Sequence, residues 1–134
     1  GIKQQIATLN VPGISLNHTL EGKVMVFARL NEYQDPVSRI YGEVKLPFEM
    51  AFKSNSVHHS EHWKANVSDQ RVTISVQSPG NQFVSTGGIR SQNNFRVFIL
   101  MPGTIQNLAL RGVTEASIEK MTYQRMCALL EVEP

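Results

Sequence analysis

At 134 residues, with 41% hydrophobic and 18% charged side chains, the chain is long enough for one core and too apolar to be disordered. Its net charge of +2 comes from Lys and Arg residues spread almost evenly along the sequence, so no polybasic run is present. The single cysteine, Cys127, excludes an intrachain disulfide, and no apolar run approaches the ~18 residues of a membrane-spanning helix.

Apolar residues recur at a spacing of two through most of the chain, the mark of half-buried strands. Ile6 to Leu9 and Ile14 to Leu16 are short strand candidates, separated by the turn signal Val11-Pro12-Gly13. From Lys23 to Leu30, Val24, Val26 and Ala28 share one face while Met25, Phe27 and Arg29 share the other. Arg39 to Pro47 alternates in the same way, and Phe48, Met50 and Phe52 continue the pattern. Trp63, Ala65 and Val67 define a further strand after the polar stretch His58-His59-Ser60-Glu61-His62, which reads as a loop entering it. Ser68-Asp69-Gln70 turns the chain into Val72, Ile74 and Val76. After two polar, glycine-containing turn regions, Phe95, Val97 and Ile99 alternate with Arg96, Phe98 and Leu100. That strand is apolar on both faces, which predicts a central position.

Met101-Pro102-Gly103 reads as a turn, and Ile105 to Leu110 as a weaker strand. Thr114 is placed to cap a short helix from about Glu115, which is expected to pass into a final strand over Met126 to Val132. Turn signals every 8–12 residues, roughly, and about eight or nine strands predict an all-β fold in one domain over residues 1–134. The expected architecture is an antiparallel β-sandwich of jelly-roll or other Greek-key type with one short C-terminal helix.

The chain carries few arrangements that chemistry would need. His58, His59, Glu61 and His62 offer metal-ligand types within five residues. They lack H-E-x-x-H or CxxC spacing and a fourth ligand, so a solvated contact loop is the better reading and no metal or cofactor is expected. No G-x-S-x-G is present, and Asp35 and Asp69 both sit among turn residues, so hydrolysis has no visible catalytic set. Cys127 lies among Met126, Ala128 and Leu129 and reads as a buried thiol.

What remains is a β-rich module with neutral polar turns, expected to be non-enzymatic and to self-associate or dock a protein partner. Viral coat, matrix and fibre domains are the architectural analogy. The expected contact residues are His58, His59, Glu61 and His62, together with Ser78, Asn81 and Gln82 in one turn region and Gln92, Asn93 and Asn94 in another. Two alternatives stay open. A nucleic-acid-binding sheet would use Arg90 and Arg96 beside the aromatic residues, and a carbohydrate-binding sandwich would stack sugars on Trp63 or a tyrosine. The opening Gly1 in place of Met reads as a processed or excised piece. With no signal-peptide pattern and no cysteine pairs, an intracellular or virion setting is favoured over secretion despite sequons at Asn17 and Asn66.

Overall fold

The computed structural model describes residues 2–14, 22–29, 43–54, 57–79 and 93–134. Seven strands lie in these residues: β1 (Ile2–Asn10), β2 (Lys23–Arg29), β3 (Glu43–Lys45), β4 (Phe48–Ser54), β5 (Val57–Ser68), β6 (Arg71–Pro79) and β7 (Asn94–Leu100). Three helices follow: α1 (Pro102–Leu110), α2 (Glu115–Glu119) and α3 (Tyr123–Leu129). No helix among the described residues is long and apolar enough to cross a membrane.

The strands form two antiparallel sheets. One has the order β1-β6-β5-β4 and the other β3-β2-β7. The pairs β1–β6 and β2–β7 join segments far apart in sequence. Alternation decides which residues meet between the sheets. Trp63, Val72, Ile74 and Val76 from the larger sheet pack with Val26 and Ala28 from the smaller one, and Phe95, Val97 and Ile99 close against them. Trp63 is fully buried, with its ring centroid 6.4 Å from that of Phe95.

The opposite face of the smaller sheet is also dry. Met25 and Phe27 of β2 and Phe98 and Leu100 of β7 pack against Leu108, Ile118 and Met126 of the three helices. Phe27 meets Phe98 and Tyr123 edge-on, each at 5.6 Å between centroids, the geometry in which a positive ring edge faces a negative ring face. The fold is therefore three-layered: a four-stranded sheet, a three-stranded sheet and a helical layer.

The β5–β6 hairpin turns through Asp69 and Gln70. Gln70 adopts φ 59°, a left-handed conformation uncommon for a residue with a Cβ. Two backbone hydrogen bonds hold it there, from Gln70 N–H to the Ile14 carbonyl at 3.0 Å and from Val11 N–H to the Gln70 carbonyl at 2.8 Å.

Several expectations change. The strand expected at Ile105 to Leu110 is part of α1. Pro102 occupies the first helical turn, where its fixed φ and missing N–H cost nothing, so the Pro-Gly signal marks a helix start rather than a bare turn. Thr114 does cap α2, its hydroxyl accepting from Ser117 N–H at 3.1 Å. The final strand expected over Met126 to Val132 is instead the body and exit of α3, capped by Thr122 accepting from Arg125 N–H at 3.2 Å. Helical winding puts Tyr123, Met126 and Cys127 on one buried side, which extended backbone over the same residues would split. β7 is not central: it borders β2 alone among the described strands. Its two apolar faces are explained by a sheet on one side and helices on the other. His58 to His62 is not a loop but lies within β5, in register with Lys53 to Glu49 of β4. Backbone pairing with β4 fixes that segment as strand although its side chains are polar.

Replacing Phe27 with Ala should cost about 3–5 kcal/mol in urea unfolding. Native-state hydrogen exchange should accelerate in α1 to α3 more than in the four-stranded sheet, because Phe27 contacts the helices and not the inter-sheet core.

Candidate functional site

Two surfaces stand out. The first is a cleft on the helical side of the smaller sheet, of about 550 Å³. The strand register lays the row Glu43–Arg29–Asn94 across β3, β2 and β7, one step beyond the row Lys45–Phe27–Arg96. The helices cover Phe27 but not the Glu43–Arg29–Asn94 row, so among the described residues this end of the sheet is left open. Tyr123, Gln124 and Pro134 form the facing wall.

Arg96 is fixed in that cleft. Its Nη1 donates to Tyr123 Oη at 2.9 Å and to the Glu133 carbonyl, and its guanidinium lies 5.2 Å from the Phe98 ring centroid and 5.9 Å from that of Tyr123. Cys127 Sγ is 4.0 Å from the same nitrogen. The hydrogen bond to Tyr123 is the main cause that raises the Arg96 pKa further above its ordinary value, against a smaller opposing effect of burial. Arg29 is held more loosely: its Nη1 lies 3.7 Å from Glu43 Oε1 and its side chain is 62% exposed.

Beside the cleft, Glu119 at the end of α2 binds the helical layer to the sheet. Its carboxylate accepts from Lys23 Nζ of β2 at 2.5 Å and from Lys45 Nζ of β3 at 2.7 Å. Lys45 also donates to the Glu119 backbone carbonyl at 2.8 Å. Hydrogen bonds from Lys23 and then Lys45 lower the Glu119 pKa to about 2.

The second surface is the outer face of the four-stranded sheet. Register places Gln4, Gln77, His62 and Glu49 in one row, Ile6, Ser75 and Lys64 in the next, and Thr8, Thr73 and Asn66 in a third. Asn10, Arg71 and Ser68 extend it at one end, and the β4–β5 pairs Ala51–Ser60 and Lys53–His58 continue it in the same phase at the other. Among the described side chains of this face, full charges are carried by Glu49, Lys64 and Arg71, with Lys53 in the same phase of β4 by register, and Ile6 on the edge strand β1 is 62% exposed. His62 Nδ1 lies 3.6 Å from Glu49 Oε2. Among the described residues, no helix packs against this face.

The sequence-predicted contact residues divide between these settings. His62 is on the outer face, whereas Glu61, its neighbour in β5, points inward at 1% exposure. His58 and His59 are placed in β5 by backbone register only. Ser78 is buried in β6 and donates to the Ser60 carbonyl at 3.2 Å, so it is not an exposed turn residue. Asn93 is buried just before β7, and Asn94 is exposed at the cleft. Asn81, Gln82, Gln92 and Arg90 lie outside the described residues. Arg96 is in the cleft with part of its donor capacity committed to Tyr123 and the C-terminal segment. Among the described residues no three His, Cys, Asp or Glu side chains gather as metal ligands would. Arg29, Glu43 and Gln124 were not singled out as site residues in the sequence, and Tyr123 entered only among the tyrosines considered for sugar stacking. The first two carried a signal, since polar residues in the outward phase of Val24–Ala28 and Val44 had to share a face.

Comparison with protein-family models, curated proteins and solved structures finds no match for this chain.

The Glu119 latch makes part of the stability acid-sensitive. A carboxylate whose folded pKa lies near 2 and whose ordinary value is 4.5 stabilises the fold fully above pH 4.5 and loses that contribution as pH falls toward 2. Because the Glu119 side chain is 51% exposed, screening holds the effect to about 1 kcal/mol or less. Unfolding midpoints measured from pH 6 to pH 2 should show Glu119→Gln less stable than the parent at the upper end and converging with it at the lower.

Proposed function

We propose that this chain is a non-enzymatic assembly module and that the outer face of its four-stranded sheet meets a second copy of itself. The observation that carries this reading is the predominance of uncharged polar residues, Gln, Thr, Ser and Asn, among the described residues of that face. In a two-fold contact the same patch meets itself, so a face rich in one charge would set like against like. Gln, Thr, Ser and Asn each donate and accept, and rows of them can pair with their own copies without that penalty. Among the described residues the helical layer packs on the far side of the smaller sheet and leaves the outer face of the larger sheet uncovered.

Size supports a weak, repeated contact. Four strands about 4.8 Å apart and nine residues at about 3.3 Å each span about 570 Å² per copy. A stable binary interface takes about 800 Å² per partner. A face of this size holds poorly in isolation and gains strength when several copies are linked in an array. Coat, matrix and fibre domains use sandwich surfaces in this manner, an analogy of architecture.

Multi-angle light scattering from micromolar to millimolar concentration tests the proposal. The parent protein should gain mass with concentration. Thr73→Lys, which sets a charge in the middle of the face beside Thr8 and Asn66, should hold it at monomer mass with an unchanged unfolding midpoint. A parent that stays monomeric throughout, or a Thr73→Lys variant that assembles equally well, would overturn it.

A further inference from the structure

We infer that the cleft at the open end of the three-stranded sheet is a binding site for a small oxyanion, a carboxylate or a phosphate, held between Arg29 and Arg96. This site lies on the opposite side of the molecule from the face proposed for self-association and stands independently of it.

The two guanidinium groups come from the same face of neighbouring strands. Arg96 pairs with Phe27 and Arg29 with Asn94, so the arginines are diagonal neighbours, a spacing of about 7–8 Å between their origins. Both side chains are long enough to converge on one ligand held between them. Arg96 is already oriented: Tyr123 and the Glu133 carbonyl take its Nη1, while its Nε and Nη2 have no partner among the described residues. A planar fork locked by one edge presents the other at little entropic cost, the arrangement that suits carboxylate or phosphate oxygens. The amides of Asn94 and Gln124 line the same space and add neutral donors. A volume of about 550 Å³ admits a small ligand with room to spare.

Glu43 is the resident competitor. Its carboxylate stands 3.7 Å from Arg29 Nη1, too far for a direct hydrogen bond and close enough to repel an incoming anion. Glu133 adds negative charge near Arg96. An oxyanion therefore binds against opposition, and the sign of that opposition supplies the test. Removing the Arg29 charge must weaken binding and removing the Glu43 charge must strengthen it, although each substitution loosens the same ion pair.

The experiment follows the arginine Nε–H resonances of the full chain during titration with inorganic phosphate and, separately, malonate at low salt. The Arg29 and Arg96 signals should move together and saturate in the millimolar range. Arg29→Gln should raise Kd by about tenfold or more, and Glu43→Gln should lower it by about threefold. Arg111→Gln, an exposed charge at the end of α1, should leave it unchanged. Response to malonate alone assigns a carboxylate ligand, and response to phosphate alone assigns a phosphate; either supports the site. No response to either anion, equal weakening by Arg29→Gln and Arg111→Gln, or an unchanged Kd in Glu43→Gln would overturn it. Arg29 and Glu43 lie outside both hydrophobic clusters, so neither variant should disturb folding.

Discussion

The structure depends on one sheet that is buried on both sides. β2 and β7 send alternate residues into two separate cores: Val24, Val26, Val97 and Ile99 toward the other sheet, Met25, Phe27, Phe98 and Leu100 toward the helices. Burial of large apolar side chains contributes about 1.5–3 kcal/mol each, so this pair of strands contributes to both cores at once. The lone tryptophan and the edge-on aromatic group of Phe27, Phe98 and Tyr123 mark the centres of the two layers. Ionic contacts such as Glu119 with Lys23 and Lys45 sit at the margin, where water screens them, and orient the helical layer more than they stabilise it.

Much of this architecture was legible in the sequence because a period of two leaves little freedom. Val72, Ile74 and Val76, or Trp63, Ala65 and Val67, have one reading as half-buried strands, and the turn at Asp69-Gln70 falls where its residues place it. Legibility failed where short-range pattern is ambiguous. Ile105 to Leu110 and Met126 to Val132 satisfy both periods over so few residues, and tertiary packing against Phe27 and Phe98 selects the helix. The doubly apolar β7 was read as a central strand, since alternation shows that both faces are covered and not what covers them. His58 to His62 shows the converse error, a strand whose pairing with β4 is invisible in its polar composition.

The cleft was less legible than the fold. Arg96 could be singled out from its aromatic neighbours, but Arg29 and Glu43 acquire meaning only through strand register, and Tyr123 and Gln124 only through a helix that packs across the strands. A site assembled from three strands and a C-terminal helix has no local motif. The same holds for the largely uncharged polar outer face, whose rows draw residues from positions 4 to 77. Both surfaces arise from what the helical layer does and does not cover.

The long reach of the β2–β7 pairing also dictates when the protein can mature during synthesis. Residues 23–29 leave the ribosome about seventy positions before the strand that completes them, and the helices that shield Met25 and Phe27 come later still. Nascent chains must therefore carry an oily, half-made ribbon until β7 and the helices after it are translated, the interval in which a folding helper or a neighbouring nascent chain has access to it.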